Sequence, residues 1–146
     1  MIRLLVCDDS AAARAAIIAM LQEQSEVSVV GQAADGAEAV ELAVALAPDV
    51  VLMDIAMPVM DGVEATALIK ELLPATRVVA LAGSQEKDVV DAMLEAGADA
   101  YCVKGVPLWE LERAIAGASD PLLRLAHSLT RRRLREYSPG FASSFE

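Results

Sequence analysis

The sequence predicts an α/β fold: a five-stranded parallel sheet of order 2-1-3-4-5 with helices on both faces, followed by an extra C-terminal helical tail. Short apolar runs alternate with stretches of helical periodicity, and parallel neighbours need crossovers of about a dozen residues, which those stretches supply. Charged residues close several apolar runs: Asp8 and Asp9 after the first, Asp54 after the third, Lys104 after the fifth. In an open parallel sheet, strand ends of this kind meet in the crevice where the strand order reverses, here between strands 1 and 3.

Each element has a local reason. Ile2 to Cys7 reads as a strand buried on both faces, and Ser10 can cap a helix in which Ile17, Ile18 and Leu21 recur at helical spacing. A second strand covers roughly Val27 to Ala34. Asp35-Gly36 turns the chain into a helix through Leu46, with Ala39, Val40, Ala43 and Leu46 inward and Pro48 as its stop. Val50 to Met53 forms strand 3, and a third helix from about Val63 to Leu73 ends before Pro74. Strand 4 runs Arg77 to Leu81, a fourth helix lies between about Glu86 and Gly97, and strand 5 (Ala100 to Val103) leads to a fifth helix from Pro107 to Ala116. Asp120 and Pro121 then resemble an N-cap and first helical position, with Leu122, Leu125, Ala126 and Leu129 on one face. The expected division is a domain over 1–118 and a helical tail or linker over 119–146, toward a possible output domain.

Composition narrows the class. A content of 55% hydrophobic but only 3% aromatic residues suits one domain with an aliphatic, Ala-rich core. No apolar run approaches the ~20 residues of a membrane span, and the start lacks a basic region followed by an apolar one, so a cytoplasmic protein without membrane contact is expected. Cys7 and Cys102 fall inside strands and read as small core residues. The net charge of −10 argues against direct nucleic-acid binding by residues 1–146. That charge is uneven: residues 1–119 hold 7 basic and 19 acidic side chains, residues 120–146 hold 5 and 3. The arginines at 131, 132, 133 and 135 read as a solvated face.

Three carboxylates and one ammonium at one crevice imply a cation, because close carboxylates resist joint ionisation without one. A hard ion such as Mg²⁺ takes few protein carboxylates and leaves positions for water and phosphate oxygens, which suits Asp9 and Asp54 as ligands with Asp8 acting through a water. A carboxylate beside such an ion, with a lysine ready to meet incoming charge, can attack a phosphoryl group in line. The loop Met57-Pro58-Val59-Met60-Asp61-Gly62 places a rigid Pro and a turn Gly beside it.

With these elements in place, residues 1 to about 118 resemble the receiver domain of bacterial two-component response regulators, a flavodoxin-like fold. The resemblance rests on Asp8-Asp9, on Asp54 with the Met-Pro-x-Met-Asp-Gly loop, on Gly97 to Tyr101 and on Lys104. It implies that Asp54 is the phosphoacceptor, charged by a histidine kinase or phosphotransfer protein. It also implies that Asp8, Asp9 and the Ala56 carbonyl organise Mg²⁺, and that Lys104 contacts the phosphoryl oxygens. Such a domain catalyses its own phosphoryl transfer and dephosphorylation without being a conventional enzyme. Tyr101 occupies the position of an aromatic switch, and homodimerisation through helix 4, strand 5 and helix 5 is common among such relatives. Leu108, Trp109 and Leu111 are candidates for a partner patch near the start of helix 5.

Two positions depart from the family pattern. Ala82 stands where the family carries Ser or Thr, which removes a hydroxyl that would bond the phosphoryl group, with Ser84 a possible substitute. Gly105 follows Lys104 where many members have a proline. The first departure motivates an alternative, a degenerate receiver serving as a phosphorylation-independent interaction module. A flavodoxin would need a phosphate loop where this chain has Cys7-Asp8-Asp9-Ser10, and an aspartate phosphatase would need a cap for which there is no room.

Overall fold

The computed structural model describes residues 1–23, 26–83 and 87–117. Strands and helices alternate as β1 (Ile2–Cys7), α1 (Ala11–Gln22), β2 (Val27–Ala33), α2 (Gly36–Leu46), β3 (Val50–Asp54), α3 (Gly62–Leu72), β4 (Arg77–Ala82), α4 (Lys87–Ala96), β5 (Ala100–Val103) and α5 (Leu108–Ala116). All strand pairings are parallel, and the sheet order is β2-β1-β3-β4-β5, as the alternation predicts. The tail helix, the arginine cluster and Ser84 fall outside the described residues.

Strands β3 and β4 are buried from end to end, which is why Val50 to Met53 and Val78 to Ala82 read as apolar runs. The side chains of the sheet divide between two cores. Leu5, Val51, Met53 and Val78 meet Ala39, Ala43, Ile69 and Met93 on the face of α2, α3 and α4. Leu4, Val6, Leu52 and Val79 meet Leu21, Leu111 and Ile115 on the face of α1 and α5. Each large aliphatic side chain so buried contributes about 1.5–3 kcal/mol relative to exposure.

Three helices begin at side-chain caps: Ser10 accepts from the Ala13 N–H at 3.2 Å, Asp35 from Glu38 at 2.8 Å and Asp61 from Glu64 at 2.9 Å. Helix α2 ends before Pro48, through Ala47 in the left-handed region (φ 45°), a position that glycine fills more easily. Two strands run one residue past their expected ends, β3 to Asp54 and β4 to Ala82, while β2 stops one short at Ala33. Ladder hydrogen bonds depend on the backbone, so a strand can include a polar end residue. No helix among the described residues is long and apolar enough to cross a membrane.

Candidate functional site

Sheet register brings the charged residues together. Cys7 pairs with Met53, Asp54 with Leu81, and Ala82 with Val103, so Asp8, Asp54 and Lys104 arrive at the same edge. The Lys104 N–H donates to the Ala82 carbonyl at 2.7 Å, which carries the β4–β5 ladder one residue further. Its ammonium then lies 3.0 Å from Asp8 Oδ2 and 3.2 Å from Asp54 Oδ1. Asp9 is exposed beside them, and one oxygen from each of Asp8, Asp9 and Asp54 can be chosen so that all lie within 4.8 Å of one another.

The electrostatics separate the two buried acids. Burial pushes the Asp8 carboxyl up, but the Ser10 N–H at 2.9 Å and the Lys104 ammonium outweigh it and hold Asp8 below the usual carboxylate range. Asp54 goes the other way: burial and then the charge of Asp8 raise it, with Lys104 opposing. Burial disfavours the Lys104 ammonium, yet its two carboxylate partners prevail and raise its pKa. Of the Lys104 side chain 36% remains exposed, which lessens the desolvation cost of the pair. Burial also pushes both thiols up, Cys7 and Cys102, in keeping with inert core residues.

Backbone contacts fix the loop after Asp54. The Gly62 N–H donates to the Ile55 carbonyl at 2.9 Å, and a Cβ on Gly62 would collide with the Asp54 carbonyl oxygen. The Gly36 N–H donates to the Met60 carbonyl at 3.0 Å, and a Cβ there would collide with that oxygen. Between them Val59 sits at φ 68°, where the Met60 N–H reaches the Pro58 carbonyl at 2.7 Å, a γ-turn-like bond around a branched residue. Ala56, in the same loop, is exposed.

One contributor is not visible in the sequence pattern. Arg14 of α1 donates to the Asp8 carbonyl at 2.5 Å and to Gln32 Oε1 at 3.2 Å, clamping the turn that presents both N-terminal acids. An isolated arginine in an Ala-rich helix is its sole sequence signal. Ala82 is 2% exposed at the end of β4, and Tyr101 is 44% exposed on β5. The patch expected from Leu108, Trp109 and Leu111 divides: Trp109 is exposed, while Leu111 is buried and Leu108 packs on the core. The cause is helical phase, which points neighbouring residues about 100° apart.

A sheet of this order, ending in paired acids, a third carboxylate and a bridging lysine, meets its match in known proteins. The response regulator receiver domain profile matches residues 4–116. The chain belongs to that family. It is 42% identical over 119 residues to the transcriptional regulatory protein LiaR of Bacillus subtilis, a match covering 82% of this chain and 56% of LiaR. It is 35% identical over 137 residues to LnrK of the same organism, covering 94% of this chain and 62% of LnrK. The signal receiver domain of NarL from Mycobacterium tuberculosis superposes with a TM-score of 0.74 at 35% identity, over 78% of this chain and 92% of that domain. The receiver therefore spans little more than half the length of these two curated relatives.

Proposed function

We propose that this receiver takes a phosphoryl group on Asp54 from the phosphohistidine of a histidine kinase or phosphotransfer protein and changes its partner binding in response. The observation that carries this reading is the single ammonium shared by Asp8 and Asp54, at 3.0 and 3.2 Å, beside a cluster of three carboxylates. Such a donor set, all oxygen and partly exposed, fits a hard divalent ion. Asp9, Asp54 and the Ala56 carbonyl would hold Mg²⁺ directly and Asp8 would act through water. Bound there, the ion would screen the carboxylates and the negative charge of the transferring group.

An Asp54 carboxylate oxygen attacks phosphorus, the phosphorus–nitrogen bond to the donor histidine breaks, and its electron pair returns to the imidazole. Lys104, already an ammonium above its ordinary pKa, supplies a fixed positive charge to the phosphoryl oxygens. Hydrolysis of the acyl phosphate at the same site resets the domain. Tyr101 on β5 is the residue through which the new charge is read, with a homodimer face formed by α4, β5 and α5 as one output. In this reading the domain spans 1–118 in the cytoplasm, and 119–146 leads toward an output segment. Nucleic-acid binding, if the whole protein resembles transcriptional regulators such as LiaR, would reside beyond the acidic receiver.

A second reading has one specific support. Ala82 presents a methyl group, not a hydroxyl, at the end of β4. A receiver lacking that donor could bind its partner identically with and without phosphate. Label transfer from acetyl phosphate in the presence of Mg²⁺ tests the first reading: stoichiometric incorporation is expected, abolished by chelation and by Asp54→Asn. Absence of incorporation at saturating Mg²⁺ would favour the phosphorylation-independent module.

A further inference from the structure

Asp99 stands just before β5, at the end of the sheet opposite the acids, and forms a reciprocal pair with β4. Its N–H donates to the Val78 carbonyl at 2.7 Å, and its Oδ2 accepts from the Val78 N–H at 2.8 Å. Val78 is fully buried, so that N–H needs an acceptor. The same carboxylate oxygen takes the Lys70 ammonium at 3.1 Å. The ammonium also donates to the Thr76 carbonyl at 2.8 Å and the Pro74 carbonyl at 3.2 Å, in the residues leading into β4. One charge thus ties the entries of β4 and β5 together, and with only 15% and 17% of the two side chains exposed, salt screens the pair little. Gly97 makes room for it: a Cβ there would lie 3.0 Å from Lys70 Cγ, and its φ of 114° is one that other residues rarely adopt.

The strand that ends in Asp54 begins the same way. Asp49, just before β3, donates its N–H to the Arg3 carbonyl at 2.9 Å and accepts the Arg3 N–H on Oδ2 at 2.8 Å. In both places the aspartate lies one rung ahead of the ladder, which opens with Leu4 against Val50 and with Val79 against Ala100. Each also lies five residues ahead of a charged group of the crevice, Asp49 ahead of Asp54 and Asp99 ahead of Lys104. The first rung therefore sets where the last side chain stands, about 16 Å away at ~3.3 Å per residue.

The two strands differ in how much else fixes them. Strand β3 is buried throughout and lies between β1 and β4, whereas β5 is an edge strand of four residues beside β4. Its sequence, Ala-Tyr-Cys-Val, is apolar on both faces, so no alternation opposes a slip. A slip of one residue would carry Lys104 about 3.3 Å along the strand and turn its side chain to the other face, away from Asp8 and Asp54.

We propose that Asp99, held by Lys70, is a register clip for β5 and a positioning residue for Lys104 in phosphoryl transfer, acting from the far end of the sheet. The role in transfer rests on the reading of Asp54 as phosphoacceptor; the clip itself is a property of the strand.

Two measurements separate positioning from general stabilisation. In amide hydrogen exchange, the Lys104 N–H, bonded to the Ala82 carbonyl at 2.7 Å, should exchange about tenfold faster in Asp99→Ala than in the parent. The Asp8 N–H, bonded to the Ala33 carbonyl at 3.0 Å on the other side of the crevice, should stay within about twofold. In label uptake from acetyl phosphate, Asp99→Ala should lower the rate at saturating Mg²⁺ by about tenfold or more, and leave the Mg²⁺ concentration for half-maximal rate within about twofold, since the proposed metal ligands lie outside β5. Asp99→Asn, which keeps an oxygen for the Val78 N–H, should restore the rate to within about threefold of the parent. Lys70→Met leaves the carboxylate on Val78 and should show the exchange pattern at about threefold, which covers the case in which Asp99→Ala does not fold. Equal acceleration of the Lys104 and Asp8 amides would mean loss of overall stability and overturn the proposal, as would parent-like exchange and rate in Asp99→Ala. A parent that takes no label would count against the acceptor reading, and the exchange comparison would then decide the clip by itself.

Discussion

Two places at the same edge of the sheet, the β3–α3 loop and Gly83 after β4, are built on opposite terms. The β3–α3 loop, which follows Asp54, is fixed by close local contacts: Gly62 on the Asp54 carbonyl, Gly36 on the Met60 carbonyl, Asp61 capping α3, and Val59 bent into the left-handed region between them. The segment leaving β4 has no such contacts at Gly83, where an added Cβ would meet nothing within 4 Å, and Ala82 before it offers no side-chain hydrogen bond. Positional precision is concentrated where charge has to be held at fixed distances. Room is left at Gly83.

Substitutions that exchange these properties test the comparison. The largest effect is expected from Gly62→Ala: its methyl would run into a backbone oxygen that cannot swing aside, a cost of about 3 kcal/mol, measurable as a lower urea midpoint. A midpoint within error of the parent would show that the β3–α3 loop is as adaptable as its neighbour. Next comes Lys104→Met, which leaves Asp8 and Asp54 facing each other. Its cost should be about 2 kcal/mol, less than for a fully buried pair because the ammonium is partly in water, and added Mg²⁺ should recover part of it.

The two acids give a pH signature of intermediate size. Asp54 binds its proton more tightly folded than unfolded, so its contribution to stability falls as pH rises from the ordinary carboxylate pKa through its raised value. Asp8 does the reverse: its contribution is present above the ordinary carboxylate pKa and is lost as pH falls through its lowered value. Asp54→Asn should therefore be more stable than the parent above the first window and converge with it below, in metal-free denaturation series. A pH-independent difference would mean that the raised pKa of Asp54 has no part in it. The smallest effect belongs to Gly83→Ala. Its backbone lies outside the left-handed region and its surroundings are open, so a gain of about 0.4–1 kcal/mol is expected from the restricted unfolded chain. Destabilisation there would remove the contrast between the loops.

Much of the fold and site is legible from residue type and position. Buried parallel strands are apolar throughout, so each charge that ends one stands out, and the crossovers fix which ends meet. Those two facts alone place Asp8, Asp9, Asp54 and Lys104 at one crevice. Constraints between a side chain and a distant backbone atom leave no such trace. Gly36 reads as a turn glycine, whereas its requirement is set by the Met60 carbonyl, 24 positions away in sequence and 3.0 Å in space. Arg14 reads as one charge on a helix and proves to hold the Asp8 carbonyl. Leu111 and Trp109 look alike as apolar residues of α5, and only the phase of the helix against the sheet sends one inward and the other to the surface.

One lysine standing against three carboxylates also sets a stoichiometry. With every group ionised, the crevice has two negative charges in excess, the amount that a single divalent ion cancels. A second such ion would find no counter-charge waiting, so titration by isothermal calorimetry should saturate at one equivalent. The phosphoryl donor, arriving after that equivalent, would encounter a neutral threshold where the bare protein presents a repelling one.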